Sequence, residues 1–102
     1  MKKDKLYIIK CHDENESFIK VGTTFNSLNR RFSGKKMPYK WCEILSIECG
    51  TVKAIHTERV IDRKFESYIP KIKFSGYLEC FNIYDLEKIN EAVELSTQGE
   101  RN

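Results

Sequence analysis

The 102-residue sequence lacks several features that define large classes of protein. No run approaches 18 apolar residues, so we expect no membrane-spanning helix. The basic N-terminus is not followed by an apolar stretch, so we expect no secretory signal and a cytoplasmic location. None of the four cysteines forms a Cys-x-x-Cys pair, and a zinc ribbon therefore has little support. Neither a glycine-rich phosphate loop nor a Gly-x-Ser-x-Gly nucleophile motif is present.

The composition is that of an ordinary globular domain, with 40% hydrophobic and 32% charged residues. We expect a single domain over residues 1–102, with its core at about 5–95. The net charge of +3 decides little, but residues 20–40 contain six basic residues and no acidic one. These are Lys20, Arg30, Arg31, Lys35, Lys36 and Lys40. The segment is either a phosphate-facing surface or a solvated basic loop, and charge alone does not separate the two.

The hydrophobic pattern predicts the element order β-β-α-β-α-β-α. The predicted strands are residues 6–11, 18–22, 42–49 and 77–82, and the predicted helices are 26–33, 52–67 and 85–95. Polar residues 12–17 separate the first two strands, which favours a β-hairpin. This order predicts an α+β fold in which a small, three-stranded, antiparallel or mixed sheet is flanked by helices.

Five short motifs occur in order on these predicted elements. Leu6-Tyr7-Ile8 lies on the first strand and Lys20-Val21-Gly22 on the second, and Arg30 follows this glycine by eight residues. Pro38-Tyr39 lies in the next loop, and Gly76-Tyr77-Leu78-Glu79-Cys80-Phe81 comes near the end. Together the motifs resemble those of the GIY-YIG nuclease superfamily, and in particular its phage-type branch. The resemblance extends over residues 5–81.

The sequence departs from the family pattern at three positions. Lys5 stands where the first half of the motif has a glycine, and Lys20 replaces a tyrosine, which is usual for the branch. In the long predicted helix, Glu58 is followed four residues later by Asp62, where the branch often has a histidine. The lone His56 precedes Glu58 by two residues and is a candidate acid–base group.

The resemblance implies a DNA endonuclease or nickase that hydrolyses phosphodiester bonds with Mg²⁺ or Mn²⁺. Glu79 would be the metal ligand, since Mg²⁺ in such sites binds one or two carboxylates together with waters and phosphate oxygens. Arg30, or its neighbour Arg31, would clamp the scissile phosphate with its planar guanidinium group. Tyr7 would deprotonate or orient the attacking water, and Lys20 would help to lower the phenol pKa from its usual value of about 10.

Basic side chains on both sides of these motifs are predicted to contact the DNA backbone. They are Arg31, Lys35, Lys36, Lys40, Lys71 and Lys73. The exchange at Asp62 motivates an alternative, in which a catalytically weak or inactive GIY-YIG-fold protein binds nucleic acid or a host protein. A nucleotide or RNA binder is a third hypothesis. A homodimer would help so small a nuclease to cut both strands, and the sequence leaves the oligomeric state open.

Overall fold

The computed structural model describes residues 5–25, 27–33 and 37–98. Its strands are β1 Lys5–His12, β2 Ser17–Thr24, β3 Lys40–Glu48 and β4 Cys80–Asn82. Its helices are α1 Leu28–Arg31, α2 Thr51–Lys64 and α3 Leu86–Gln98. The predicted α+β class and element order are confirmed. Within these ranges, no helix combines the length and the apolar character that crossing a membrane requires.

All four strands belong to one antiparallel sheet, in the order β3-β1-β2-β4. The prediction of three strands was wrong, because the short β4 pairs with residues 18–20 of β2. β1 and β2 form the predicted hairpin, in a register that places Tyr7 opposite Gly22. The pairing of β1 with β3 shifts between Ile8 and Ile9, as it does at a β-bulge.

The sheet carries a hydrophobic core on each face, because successive side chains of a strand point to opposite sides. The first face is covered by α1 and by residues 37–39, and its buried cluster is Tyr7, Ile9, Cys11, Phe18, Leu28, Phe32, Met37, Tyr39 and Cys80. The second face is covered by α2 and α3, and its buried cluster is Leu6, Ile8, Ile19, Val21, Ile61, Phe81, Ile89 and Val93. The hairpin is therefore buried on both sides, which fixes the positions of its side chains.

Capping and packing set the helix ends. The Ser27 hydroxyl accepts a hydrogen bond from the backbone N–H of Arg30 at 3.2 Å, so Ser27 is the N-cap of α1. Helix α2 ends at Lys64, three residues before the predicted end, because Phe65 is extended and packs against the core of the second face.

The predicted strand over residues 77–82 is only half a strand. Gly76 has φ +89°, a left-handed conformation that favours glycine, and it starts a 3₁₀ turn at Tyr77–Glu79. The backbone N–H of Glu79 donates to the carbonyl oxygen of Gly76 at 3.0 Å, and β4 follows directly. The turn consequently places Glu79 immediately before the strand that pairs with β2.

Candidate active site

Three residues that are far apart in the sequence meet beside β2. Tyr7 lies on β1, Lys20 on β2, and Glu79 at the end of the 3₁₀ turn. The Nζ of Lys20 donates a hydrogen bond to Tyr7 Oη at 3.1 Å and forms an ion pair with Glu79 Oε1 at 3.0 Å. The structure thus brings the predicted catalytic lysine into contact with both the predicted catalytic tyrosine and the predicted metal ligand.

Burial differs sharply among these three residues. The side chain of Lys20 is 0% exposed, whereas that of Glu79 is 50% exposed. Tyr7 is buried, and its ring packs edge-on against Phe32 with the ring centroids 5.5 Å apart. The lysine is therefore a fixed internal cation, while the carboxylate remains open to solvent and to a ligand.

The ionisation of the cluster follows from these contacts. Burial disfavours the ammonium form of Lys20, but the interactions with Tyr7 and Glu79 outweigh burial and raise its pKa. Burial also raises the pKa of Tyr7, and the nearby charges of Lys20 and Arg31 offset this only in part. In the free protein Lys20 is therefore a cation and Tyr7 a neutral phenol.

Two glycines allow the backbone to approach the cluster closely. A Cβ atom at Gly22 would lie 2.5 Å from Tyr7 Oη and 3.1 Å from Lys20 Nζ. A Cβ atom at Gly76 would lie 2.8 Å from Lys20 Nζ. Any larger residue at Gly22 would have to displace the tyrosine, because Cβ contacts shorter than about 3 Å are repulsive.

The two candidate arginines differ in their relation to Tyr7. Arg31 is half-buried, with its guanidinium carbon 5.4 Å from the ring centroid of Phe32, and its charge acts to lower the pKa of Tyr7. Arg30, which occupies the position that the resemblance indicates, is exposed on α1. The structure therefore favours Arg31 over Arg30 as the arginine whose charge acts on Tyr7.

A groove of about 280 Å³ lies next to Glu79, between α2 and the 3₁₀ turn. Glu58, Arg59 and Asp62 of α2 line it together with Glu79, and so do apolar side chains that include Leu78. Burial raises the pKa of Glu58 to about 7, and the negative charge of Glu79 adds to the effect. The groove thus brings further carboxylates close to the predicted metal ligand.

His56 lies in a different place from the cluster. It lines a separate depression formed by the end of β3, the beginning of α2 and the end of α3. Neighbouring residues there are Glu48, Thr51, Lys53 and Ser96. His56 and Glu58 are two residues apart on α2 and so project to different sides of the helix. The structure therefore does not bring His56 together with Tyr7, Lys20 and Glu79.

The predicted DNA-binding lysines are found in two exposed segments. Lys40 is exposed at the beginning of β3, and Lys71 and Lys73 are exposed in the loop that precedes the 3₁₀ turn. The Nζ of Lys73 lies 5.7 Å from the ring centroid of Tyr77, which joins this loop to the turn carrying Glu79. Lys35 and Lys36 lie outside the described residues.

The donor set limits the kind of metal site. Within the described part of the chain, no group of three or more His, Cys, Asp or Glu side chains is placed to hold a metal ion. Glu79 offers a half-exposed carboxylate whose Oε1 already contacts Lys20. Mg²⁺ accepts one or two carboxylates when waters and other oxygen atoms complete its coordination, so the residues present fit such an ion only with ligands from outside the protein.

Sequence reasoning missed one carboxylate that the structure makes prominent. Glu16, in the turn between β1 and β2, accepts hydrogen bonds from the hydroxyl groups of Tyr39 and Tyr68 and from the backbone N–H of Lys71. A glutamate in a polar turn is ordinarily solvated, and its partners lie 23 to 55 residues away. No local pattern could have identified the network.

Comparisons of the chain with models of protein families, with curated proteins and with solved structures found no match.

Proposed function

We propose that this chain is a metal-dependent DNA endonuclease or nickase that hydrolyses phosphodiester bonds. The observation that carries the proposal is the contact of a buried ammonium group, that of Lys20, with both Tyr7 and Glu79. The three residues come from three of the motifs that resemble the GIY-YIG nucleases. A lysine enclosed at 0% exposure between a phenol and a half-exposed carboxylate is costly to bury, and such groups are concentrated at functional sites.

Hydrolysis requires a bond from water oxygen to phosphorus, cleavage of the bond to one sugar oxygen, and transfer of a proton from the water to the leaving oxygen. In this proposal Tyr7, as a neutral phenol, orients the attacking water through its hydroxyl group. Lys20, which is fully buried, holds both Tyr7 and Glu79 in place and contributes positive charge from inside the protein. Arg31 clamps the phosphate oxygens, with Arg30 as the alternative on the same helical turn.

Glu79 would hold the Mg²⁺ or Mn²⁺ ion, which when bound supplies Lewis-acid stabilisation of the phosphate charge. The positive charge of Lys20 opposes cation binding, and one carboxylate is a sparse ligand set. We therefore expect the ion to bind the protein weakly until DNA contributes its phosphate oxygens.

Exposed lysines would follow the DNA backbone on the side of the cluster. Lys71 and Lys73 lie on the loop that leads to Glu79, and Lys40 lies on the neighbouring segment. Phosphate contacts carry no sequence information, and each one releases counterions. We expect weak sequence preference and an affinity that falls steeply as salt is raised.

The test is cleavage and binding by Glu79→Gln, measured in parallel on supercoiled plasmid and on a labelled DNA duplex. Glu79→Gln should abolish cleavage, because the side chain loses the charge that would hold the metal. It should leave DNA binding near the wild-type level, because the side chain keeps its size. Glu91→Gln, which makes the same exchange at an exposed position of α3, is the matched control and should cleave normally. Equal cleavage by both variants would overturn the proposal.

A second candidate function is binding without catalysis, and the state of Tyr7 favours it. Because the pKa of Tyr7 is raised, its hydroxyl is a poor proton acceptor in the free protein. Under this alternative the fold binds nucleic acid or a host protein, and neither wild type nor Glu79→Gln cuts DNA. Unlabelled RNA and unlabelled DNA are then compared as competitors that displace a labelled DNA duplex from the protein, and the stronger competitor is the preferred nucleic acid.

A further inference from the structure

The Glu16 carboxylate joins three parts of the chain. Its Oε2 accepts a hydrogen bond from the Tyr39 hydroxyl, and its Oε1 accepts one from the Tyr68 hydroxyl. The backbone N–H of Lys71 donates to Oε2 at 3.0 Å. Tyr39 Oη in turn accepts the backbone N–H of Ile72 at 3.0 Å. Glu16 thus anchors the backbone amide of Lys71 directly and that of Ile72 through Tyr39, so two consecutive amides of the lysine-bearing loop are held.

The protonation states of the network agree with this pattern. Although burial acts in the opposite direction, hydrogen bonds from Tyr39 and Tyr68 lower the pKa of Glu16. The hydrogen bond to Glu16 and, to a smaller extent, burial raise the pKa of Tyr68 to about 12. At neutral pH an ionised carboxylate therefore accepts hydrogen bonds from neutral phenols, and bonds of this kind are stronger than those between neutral partners.

The anchored loop is the one that leads into the candidate active site. It carries the exposed Lys71 and Lys73, and it continues through the 3₁₀ turn to Glu79. Ordering a loop when a ligand binds costs conformational entropy, and a loop that is already held in place avoids part of that cost. The contacts made by Glu16 would therefore lower the entropic cost of binding a polyanion to these lysines.

We propose that Glu16 is a positioning residue that fixes the loop carrying Lys71 and Lys73 as a phosphate-binding surface in the segment that leads to Glu79. This inference rests on the proposed function, since it takes the DNA backbone as the ligand. It has an unusual consequence: an acidic residue close to the DNA-binding surface strengthens binding. If Glu16 only repelled DNA, removing its negative charge would strengthen DNA binding. The positioning role predicts weaker binding, so the two explanations predict opposite changes in affinity.

The experiment compares Glu16→Gln with Glu14→Gln. Glu14 is exposed in the same turn, and both variants lose one negative charge. Affinity for a short DNA duplex is measured without added metal over a range of salt concentrations. Glu16→Gln should bind more weakly, and the slope of log K against log salt should decrease by about 1 to 2, as expected when one or two phosphate contacts are lost. Glu14→Gln should bind as well as wild type or slightly better.

Hydrogen exchange at the amides of Lys71 and Ile72 provides a readout that does not depend on DNA. Glu16→Gln should accelerate exchange at both amides by at least about tenfold, which corresponds to the loss of one hydrogen bond to a charged group. Tyr68→Phe keeps the charge of Glu16 and removes one donor, and it should change exchange and affinity in the same direction by less. Glu14→Gln should leave exchange unchanged.

The outcomes separate the two proposals. If wild type binds no DNA, the proposed function fails and the phosphate-binding role of the loop fails with it, while the exchange rates still decide whether Glu16 holds the loop. If wild type binds DNA but Glu16→Gln binds as well as Glu14→Gln, with the same salt slope, the positioning role is overturned. A variant that loses affinity only because its global stability has collapsed would show faster exchange throughout the sheet, and this result also overturns it.

Discussion

Replacing Lys20 with methionine separates a functional lysine from a structural one. The substitution removes the hydrogen bond to Tyr7 at 3.1 Å and the ion pair with Glu79 at 3.0 Å. Methionine is unbranched and close to lysine in length, so it should occupy the same buried space. The variant therefore removes the charge and leaves the packing largely intact.

The expected change in stability is small because two large terms oppose each other. At this separation the attraction between the ammonium and the carboxylate is about 5 kcal/mol with an effective dielectric constant of about 20. Burying the ammonium costs several kcal/mol, and replacing buried ionic groups with apolar residues of similar volume is often neutral or stabilising. Glu79 is 50% exposed and becomes solvated when its partner is lost. We expect the free energy of unfolding to change by less than about 1.5 kcal/mol.

Thermal unfolding followed by circular dichroism, together with plasmid cleavage, tests this prediction. In a domain of about 100 residues, 1 kcal/mol corresponds to about 4–8 °C in Tm, so Lys20→Met should remain folded with a Tm within about 10 °C of wild type. Its cleavage activity should be lost. A variant that fails to fold would show that Lys20 is required for the structure, and a folded variant with full activity would show that the ammonium has no role in cleavage.

Three further substitutions have defined outcomes. Gly22→Ala places a Cβ atom 2.5 Å from Tyr7 Oη, so chemical denaturation should show a loss of about 1–3 kcal/mol, and unchanged stability would contradict the close approach. Glu58→Gln should be as stable as wild type at about pH 4 but more stable at pH 8. The pKa of Glu58 is raised to about 7 in the folded protein, so wild type loses stability as the pH rises from the ordinary carboxyl pKa through 7, and the glutamine variant does not. The full shift of that pKa is worth about 3 kcal/mol, which partial exposure reduces to about 1 kcal/mol. Equal unfolding midpoints of wild type and Glu58→Gln at pH 8 would refute the raised pKa of Glu58. Arg31→Ala should reduce cleavage more than Arg30→Ala, measured on the same plasmid, and the reverse order would restore Arg30 as the phosphate clamp.

Strand alternation explains why half of the candidate site was predictable. Tyr7 lies opposite Gly22, and Lys20 lies opposite Ile9, on the same face of the hairpin. Side chains of a strand alternate between its two faces, and in this hairpin the two-residue period places Tyr7 and Lys20 together. The motif resemblance supplied the third partner, Glu79, without showing how the chain brings it there.

The rest depended on tertiary contacts that short-range patterns do not encode. An aromatic segment at 77–82 predicts a strand, but the left-handed conformation of Gly76 converts its first half into a turn. The choice between Arg30 and Arg31 depends on the rotation of a helix of four residues. Successive residues of a helix point in different directions, so an error of one residue in the motif alignment exchanges the two arginines. The network of Glu16 joins the β1–β2 turn to residues of two distant loops.

Plasmid cleavage by the wild-type protein, with Mg²⁺ or Mn²⁺ at low salt and again with a chelator, decides whether the Tyr7–Lys20–Glu79 cluster belongs to a nuclease. We predict that supercoiled plasmid is nicked or linearised only when a metal is present, and that Glu79→Gln leaves it intact under every condition. Absence of cutting by wild type with both metals would contradict the nuclease proposal and favour a protein that binds without catalysis.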